Sequence, residues 1–281
     1  MPELAYVNGT FLPIEKAMVP VEDRGYQFGD AVYEVIVSYN GHPVFMDEHM
    51  ARLRRSLKEL SFPEISIDKI KAAVIELFDR AKMERAEIYL QISRGVSPRN
   101  HAFPNNVETQ FIMTAREVTE VPKNIRQQGA KAITVKDLRW GRCDIKTVQL
   151  LYNVLAKQKA LDSGVFDAIF ISKDNIVREA TSSNLFIVGD EKIITHPLTP
   201  DILPGITRAN VLKICAEKNL HVKEQLYNKD TLLKSDEVFL TGTITEVLSI
   251  VDIDGSKIGN GKVGPMAKKL FDALRARSKQ K

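Results

Sequence analysis

Arg139-Trp140-Gly141-Arg142-Cys143-Asp144-Ile145-Lys146 is the stretch around which the chain is organised. It ends in Lys146, and an apolar-periodic segment (Leu151, Val154, Leu155) begins within two turns. That spacing predicts a lysine at the mouth of a helix, behind Ile145 and near two arginines. Desolvation and neighbouring positive charge both lower a lysine's pKa, as an amine that condenses with an aldehyde requires. A solvated surface lysine is the ordinary alternative, and this stretch alone does not choose.

Composition narrows the classes. At 281 residues, one large or two medium domains are expected. The net charge of +4, from 40 basic and 36 acidic residues, is too small and too dispersed to indicate nucleic acid. The basic residues near the end (Lys268, Lys269, Arg275, Arg277, Lys279, Lys281) read as a solvated helix terminus. Cys143 and Cys215 have no Cys or His partner at metal-ligand spacing, and His42, His49, His196 and His221 show no zinc-type pattern. No metal and no disulfide framework are expected. The N-terminus lacks a signal-peptide pattern, and no apolar run reaches the roughly 18 residues of a membrane span. A cytoplasmic protein without a membrane partner is the expectation.

Local signals predict the elements. Asn8-Gly9 turns a hairpin of 4–7 and 10–13. A loop at 23–30 with two glycines leads into a strand at 31–39. Asp47 is expected to cap a helix with the stripe Met50, Leu53, Leu57 and Leu60, and 68–83 repeats that pattern. Ile88–Ser93 alternates strictly and 110–115 is a further strand. Residues 118–124, with Pro122 and mixed charge, are the linker, between an N-terminal domain at 1–117 and a C-terminal domain at 125–281. Beyond it come a strand at 130–138, the Lys146 stretch with a helix to about 163, and several hairpins. A helix after Leu203-Pro204-Gly205 carries the stripe Val211, Ile214 and Cys215, and a final helix closes the chain. So irregular an alternation excludes a doubly wound parallel sheet and indicates a mixed α/β fold.

Four further features could carry chemistry. Gly205-Ile206-Thr207 at a helix start suits a phosphate, or is simply a turn with a good first-turn residue. Gly242-Thr243 after a strand offers a second hydroxyl with the same ambiguity. Glu179 is either an exposed hairpin carboxylate or a buried one meeting a protonated ring nitrogen. Arg99 and His101 could present two donors to a carboxylate, or form a solvated basic loop. No dinucleotide fingerprint, Walker loop or nucleophile elbow is present.

Together these stretches resemble the fold-type IV pyridoxal-phosphate aminotransferases, the family of the branched-chain and D-amino-acid transaminases. The shared runs are Arg24-Gly-Tyr-Gln-Phe-Gly-Asp30, Tyr33-Glu34, Glu48-His49-Met-Ala-Arg52, Arg139 to Lys146, Asn153-Val-Leu-Ala-Lys157, Glu179-Ala-Thr-Ser-Ser-Asn184, Leu203-Pro-Gly-Ile-Thr-Arg208 and Thr241-Gly-Thr-Ile-Thr-Glu246. The resemblance implies a smaller N-terminal α/β sandwich, a larger C-terminal pseudo-barrel and pyridoxal 5'-phosphate as cofactor. It implies that Lys146 condenses with the cofactor aldehyde and later moves the proton at the substrate Cα. Glu179 would keep the pyridine nitrogen protonated. Arg52, Gly205, Ile206, Thr207 and Thr243 would hold the phosphate, with Leu203 and Ser182 beside the cofactor. Amino-group transfer would run in two ping-pong stages between amino acids and 2-oxo acids.

The loop at 94–104 resembles the one with which D-amino-acid transaminases bind the substrate α-carboxylate, through an Arg and a His of the neighbouring subunit. The resemblance therefore implies a homodimer with shared active sites, Arg99 and His101 as the trap, and Tyr33, Tyr89, Thr243 and Ile244 on the substrate side. D-alanine and D-glutamate would be donors, with pyruvate or 2-oxoglutarate as acceptors. Two departures stand out: Pro98 before Arg99 stiffens that loop, and Leu203-Pro204-Gly205 is closer to the branched-chain style. A branched-chain L-amino-acid or (R)-amine transaminase and an aminodeoxychorismate lyase remain the alternatives on this fold.

Overall fold

Asn8 and Gly9, both at positive φ, fold β1 (Leu4–Val7) onto β2 (Thr10–Pro13) and start an antiparallel sheet. In the computed structural model, which describes residues 3–279, this sheet belongs to the first of two units. The first unit runs to Val118 and also takes in Ile145–Gln149; the second comprises the remaining chain. The first unit continues with α1 (Arg24–Phe28), β3 (Ala31–Tyr39), β4 (His42–Pro43), α2 (Met46–Glu59), α3 (Ile67–Ala81), β5 (Ala86–Ser93) and β6 (Gln110–Glu117). Its strand order is β2-β1-β6-β5-β3-β4.

Period-2 alternation decides which face of this sheet is covered. Ile88, Leu90 and Ile92 of β5 are buried with Val32 and Ile36 of β3 against Leu53, Leu57, Val74 and Leu77 of α2 and α3. Tyr33, Val35, Tyr89 and Gln91 point to the other face and stay half-buried. Asp47 is not the cap of α2. Phe45, in the left-handed region, precedes the helix, and Asp47 sits in its first turn, where it pairs with Lys71 and suits the helix dipole. Ser66 caps α3 by accepting from Lys69 N.

The second unit holds α4 (Lys123–Gln128), β7 (Ala130–Lys136), α5 (Leu151–Asp162), β8 (Asp167–Ile171), β9 (Val177–Ala180), β10 (Asn184–Gly189), β11 (Lys192–Thr195), α6 (Ile206–Glu217), β12 (Val222–Glu224), α7 (Lys229–Leu233), β13 (Glu237–Gly242), β14 (Glu246–Ile253), β15 (Ser256–Lys257) and α8 (Pro265–Ser278). Its mixed sheet has the order β12-β11-β10-β13-β14-β7-β8-β9, with β15 on β14. This curled half-barrel is the expected pseudo-barrel, and the whole is a mixed α/β fold of the fold-type IV kind.

Two expectations change here. The Leu151, Val154 and Leu155 stripe is helical, but these residues are 68%, 59% and 56% exposed. The inward face of α5 is instead Ala156 and Ala160, packed on Ala168 and Phe170, because small residues allow the helix to lie close to β8. The basic residues of α8 are not merely solvated. Arg275 is paired with Glu246 and Glu120, and Arg277 with Glu217; Lys281 lies outside the described residues. Among the described residues no helix is long and apolar enough to cross a membrane.

Leu53 is fully buried at the centre of the first core. Leu53→Ala should lower unfolding free energy by about 2–5 kcal/mol in urea titrations, through lost burial and the cavity left behind.

Candidate active site

Lys146 is mounted on the edge of β3. Thr147 forms a bridge with Val32, Tyr33 N donates to Lys146 O at 3.0 Å, and Val148 N donates to Ala31 O at 3.2 Å. Lys146 N reaches Ser56 Oγ of α2 at 3.3 Å. Four residues separate Lys146 from α5, so backbone pairing and not a helix mouth orients it. Its Nζ lies 4.1 Å from the centroid of the Tyr33 ring, and that ring is 5.6 Å from Tyr89. The Tyr89 hydroxyl donates to Gln91 Oε1 at 2.6 Å; burial, with Tyr33 adding, pushes its phenol up.

On the opposite face of β3 lies a buried group that the residue patterns did not single out. Arg52 Nε and Nη2 donate to Glu34 Oε1 and Oε2 at 2.8 and 2.7 Å, and His49 Nδ1 is 2.7 Å from Oε2. Burial alone would raise the Glu34 carboxyl, but the charge and hydrogen bonds of Arg52, helped by His49, bring it down to about 2. An ionised Glu34 only accepts, so His49 carries its proton on Nδ1. Burial holds His49 below its ordinary range against the pull of Glu34. The signal was in the sequence: His49 and Arg52, three apart, share one face of α2.

In the second unit, Glu179 is 5% exposed, which removes the hairpin-carboxylate alternative. Its Oε1 accepts from Arg139 Nη1 at 2.5 Å, and its Oε2 from Asn184 Nδ2 at 2.9 Å and Leu203 N at 3.1 Å. Burial pushes this carboxyl up while Arg139 opposes the rise. Arg139 in turn donates twice to Asp137 and stacks on Phe170. Arg142 pairs with Asp144. Both arginines of the opening stretch are therefore matched by carboxylates and do not act as free charge. Cys143 is buried nearby, its thiol pushed up to about 11 by that burial.

Helix α6 starts after Gly205, which supplies no capping side chain, and Ile206 and Thr207 are buried in its first turn. Gly205 approaches so closely that a Cβ there would lie 2.0 Å from Asn184 Oδ1. Gly242 is similarly close to Ser183 Oγ. Ser183 Oγ and Thr241 Oγ1 are buried without a hydrogen-bond partner among the described residues. Thr243 and Ile244 lie half-buried in the turn between β13 and β14, Leu203 is half-buried, and Ser182 is exposed.

Arg99 and His101 are exposed. They come together against Phe28, at 5.0 Å from its ring centroid for the guanidinium and 5.5 Å between rings for His101. The structure thus assembles Arg99 with His101, Lys146 with Tyr33 and Tyr89, and Glu179 with Arg139, Asn184 and Leu203.

The model of the family described as amino-transferase class IV matches residues 31–253. This chain belongs to the class IV aminotransferases. It is 44% identical to the D-alanine aminotransferase of Bacillus licheniformis over 95% of this chain and 94% of that one. It is 38% identical to the D-alanine aminotransferase of Staphylococcus haemolyticus, over 96% and 95%. Among solved structures, the Escherichia coli branched-chain amino acid aminotransferase superposes with a TM-score of 0.91 at 28% identity, covering 98% of this chain and 94% of that one. The T.th. branched-chain amino acid aminotransferase with pyridoxamine 5'-phosphate gives 0.91 at 26% identity, covering 100% and 96%.

Two outcomes follow for this class IV aminotransferase. Gly205→Ala must displace Asn184, which also donates to Leu203 O at 2.8 Å, and should cost about 1–3 kcal/mol of stability by chemical denaturation. His49, with its folded pKa below 6.5, stays neutral while the unfolded chain takes up a proton, so stability falls as pH drops below 6.5. Glu34 adds a loss of the same sign from 4.5 toward 2. His49→Gln should flatten the upper part of the curve, read as urea midpoint against pH.

Proposed function

We propose that this class IV aminotransferase is a pyridoxal 5'-phosphate-dependent D-amino-acid transaminase. It would move the amino group of D-alanine, D-glutamate and similar donors to pyruvate or 2-oxoglutarate, as a cytoplasmic homodimer. The carrying observation is the Arg99/His101 pair, displayed on one outward loop in a chain 44% identical to a D-alanine aminotransferase. The branched-chain reading is favoured by the solved relatives, but these are 28% identical or less.

The residues present fit the cofactor. A buried carboxylate held by three donors suits a protonated pyridine nitrogen. The glycine-capped start of α6, with the unpartnered hydroxyls of Ser183 and Thr241, suits a phosphate. The bound cofactor supplies an aldehyde for the amine and a ring that takes up electron density. Glu179 would keep a proton on the ring nitrogen, while Arg139 and Asn184 hold Glu179 in place. Ile206 N, Thr207 N and Thr243 would bind the phosphate, as would Arg52, which Glu34 holds in its fork. Ser182 and Leu203 would lie beside the cofactor. Lys146 Nζ would hold the cofactor and would take and return the proton at the substrate Cα. Tyr33, with Tyr89, Thr243 and Ile244, faces the substrate, and Arg99 and His101 of the partner subunit bind its α-carboxylate. The exposed Leu151, Tyr152, Val154 and Leu155 face of α5 supports the dimer, since so apolar a helix face gains stability when a second copy covers it.

With cofactor-loaded protein and no acceptor, D-alanine should bleach the visible cofactor band and L-leucine should not. The reverse result would replace this reading with the branched-chain one. Arg99→Ala should raise KM for D-alanine at least about tenfold while leaving the visible band of the resting enzyme in place, as expected for a lost charge-assisted hydrogen bond.

A further inference from the structure

The Arg24-Gly25-Tyr26-Gln27-Phe28-Gly29-Asp30 run has no task in the chemistry above, although its arginine is 3% exposed. Asp23 caps α1 through Gly25 N, and Gly29 ends it in the left-handed region, so a five-residue helix holds Arg24 and Asp30 together. Arg24 Nε donates to Asp30 Oδ2 at 2.9 Å. Its Nη1 donates to Asn100 O at 2.6 Å and its Nη2, more weakly, to His101 O at 3.4 Å. The same Asp30 oxygen accepts from Arg94 Nε at 2.8 Å, while Arg94 Nη1 and Nη2 reach Ser61 O and Leu60 O. Arg94 also stacks on Phe103, at 3.7 Å. Main-chain bonds Arg24 N to Gly95 O and Arg94 N to Asp30 O close the base of the loop. Phe28 meets Arg24 at 4.8 Å and also carries Arg99 and His101.

We propose that Arg24 and Asp30 are positioning residues for the carboxylate-binding loop: one guanidinium fork, fixed by Asp30, holds the backbone carbonyls at 100 and 101 so that the Arg99 and His101 side chains both meet Phe28. This rests on the reading of Arg99 and His101 as the carboxylate trap. The fork geometry is essential to it. A lysine keeps the charge but is a single point, and cannot serve the Asp30 carboxylate and two carbonyls in one plane. A buried ion pair with a purely structural role would instead couple to stability and to all kinetic constants together. Arg24 touches neither substrate nor cofactor in this assignment, so its effect must pass through Arg99 and His101.

The test uses the cofactor-loaded enzyme with D-alanine and 2-oxoglutarate, comparing Arg24→Lys, Arg99→Ala and the double variant. Arg24→Lys should raise KM for D-alanine about tenfold with kcat within about twofold, as expected when binding geometry and not chemistry is lost. Its PLP dissociation constant should match the wild type. Amide exchange over 97–104 should quicken while β5 is unchanged. Adding Arg24→Lys to Arg99→Ala should cause a smaller loss than Arg24→Lys causes alone, because only the route through His101 is left. The proposal is overturned if Arg24→Lys leaves KM unchanged, if its effect multiplies in full with that of Arg99→Ala, or if kcat and PLP affinity fall as KM rises. A wild-type KM in Arg99→Ala would instead overturn the trap reading itself, and this inference with it. An Asp30→Asn variant, keeping Arg24 intact, should reproduce the faster loop exchange, and unchanged exchange there would also count against the proposal.

Discussion

A carboxylate removed from water must be met by donors that cannot move away, and this constraint governs the chemistry-bearing parts of both units. Glu179 meets it with Arg139, Asn184 and the Leu203 amide. Glu34 meets it with both arms of Arg52 and with His49. In each case desolvation alone would favour the neutral acid, and the outcomes differ with the number and charge of the donors. A bidentate arginine, helped by the hydrogen bond from His49, keeps Glu34 ionised to about pH 2, whereas for Glu179 burial outweighs a single arginine.

The same constraint explains why a glycine stands at position 205. Asn184 can serve Glu179 and Leu203 O together only because Gly205 leaves room for its amide. Gly205 also leaves the start of α6 without a capping side chain. One residue without a Cβ therefore links the support of a carboxylate to the exposure of helix amides suited to an anion.

Legibility in the sequence followed the range of the interaction. The Asn8-Gly9 hairpin, the alternation of Ile88–Ser93 and the stripe Val211, Ile214 and Cys215 depend on neighbours in the chain, and each forms where the pattern indicated. The direction of a helix face does not depend on neighbours alone. Leu151, Val154 and Leu155 have core-like spacing, yet it is Ala156 and Ala160 that face the core, packed with Ala168 and Phe170 of β8. Asp47 resembles a cap, but Phe45 in the left-handed region already starts the helix. The family was readable through its shared runs, and the class IV model matches residues 31–253. The supports of the site were not: the bonds from Arg139 to Glu179 and from Arg24 to Asn100 and His101 join distant parts of the chain that no local period connects.

The seat of Lys146 has a consequence for the order in which the protein can form. Its five-residue segment pairs with Ala31, Val32 and Tyr33, partners on the order of a hundred residues earlier in the chain. Closing so long a loop carries an entropy cost that local turns and helices do not, so this pairing belongs to the slow, non-local part of folding. During synthesis the first sheet emerges with one edge of β3 still unpaired at these positions. It receives that edge, and the Lys146 amine with it, only after the chain has passed through residues 119–144. The lysine is thus installed from the far side of a unit boundary, and a fragment ending at Val118 would be a sheet without its amine.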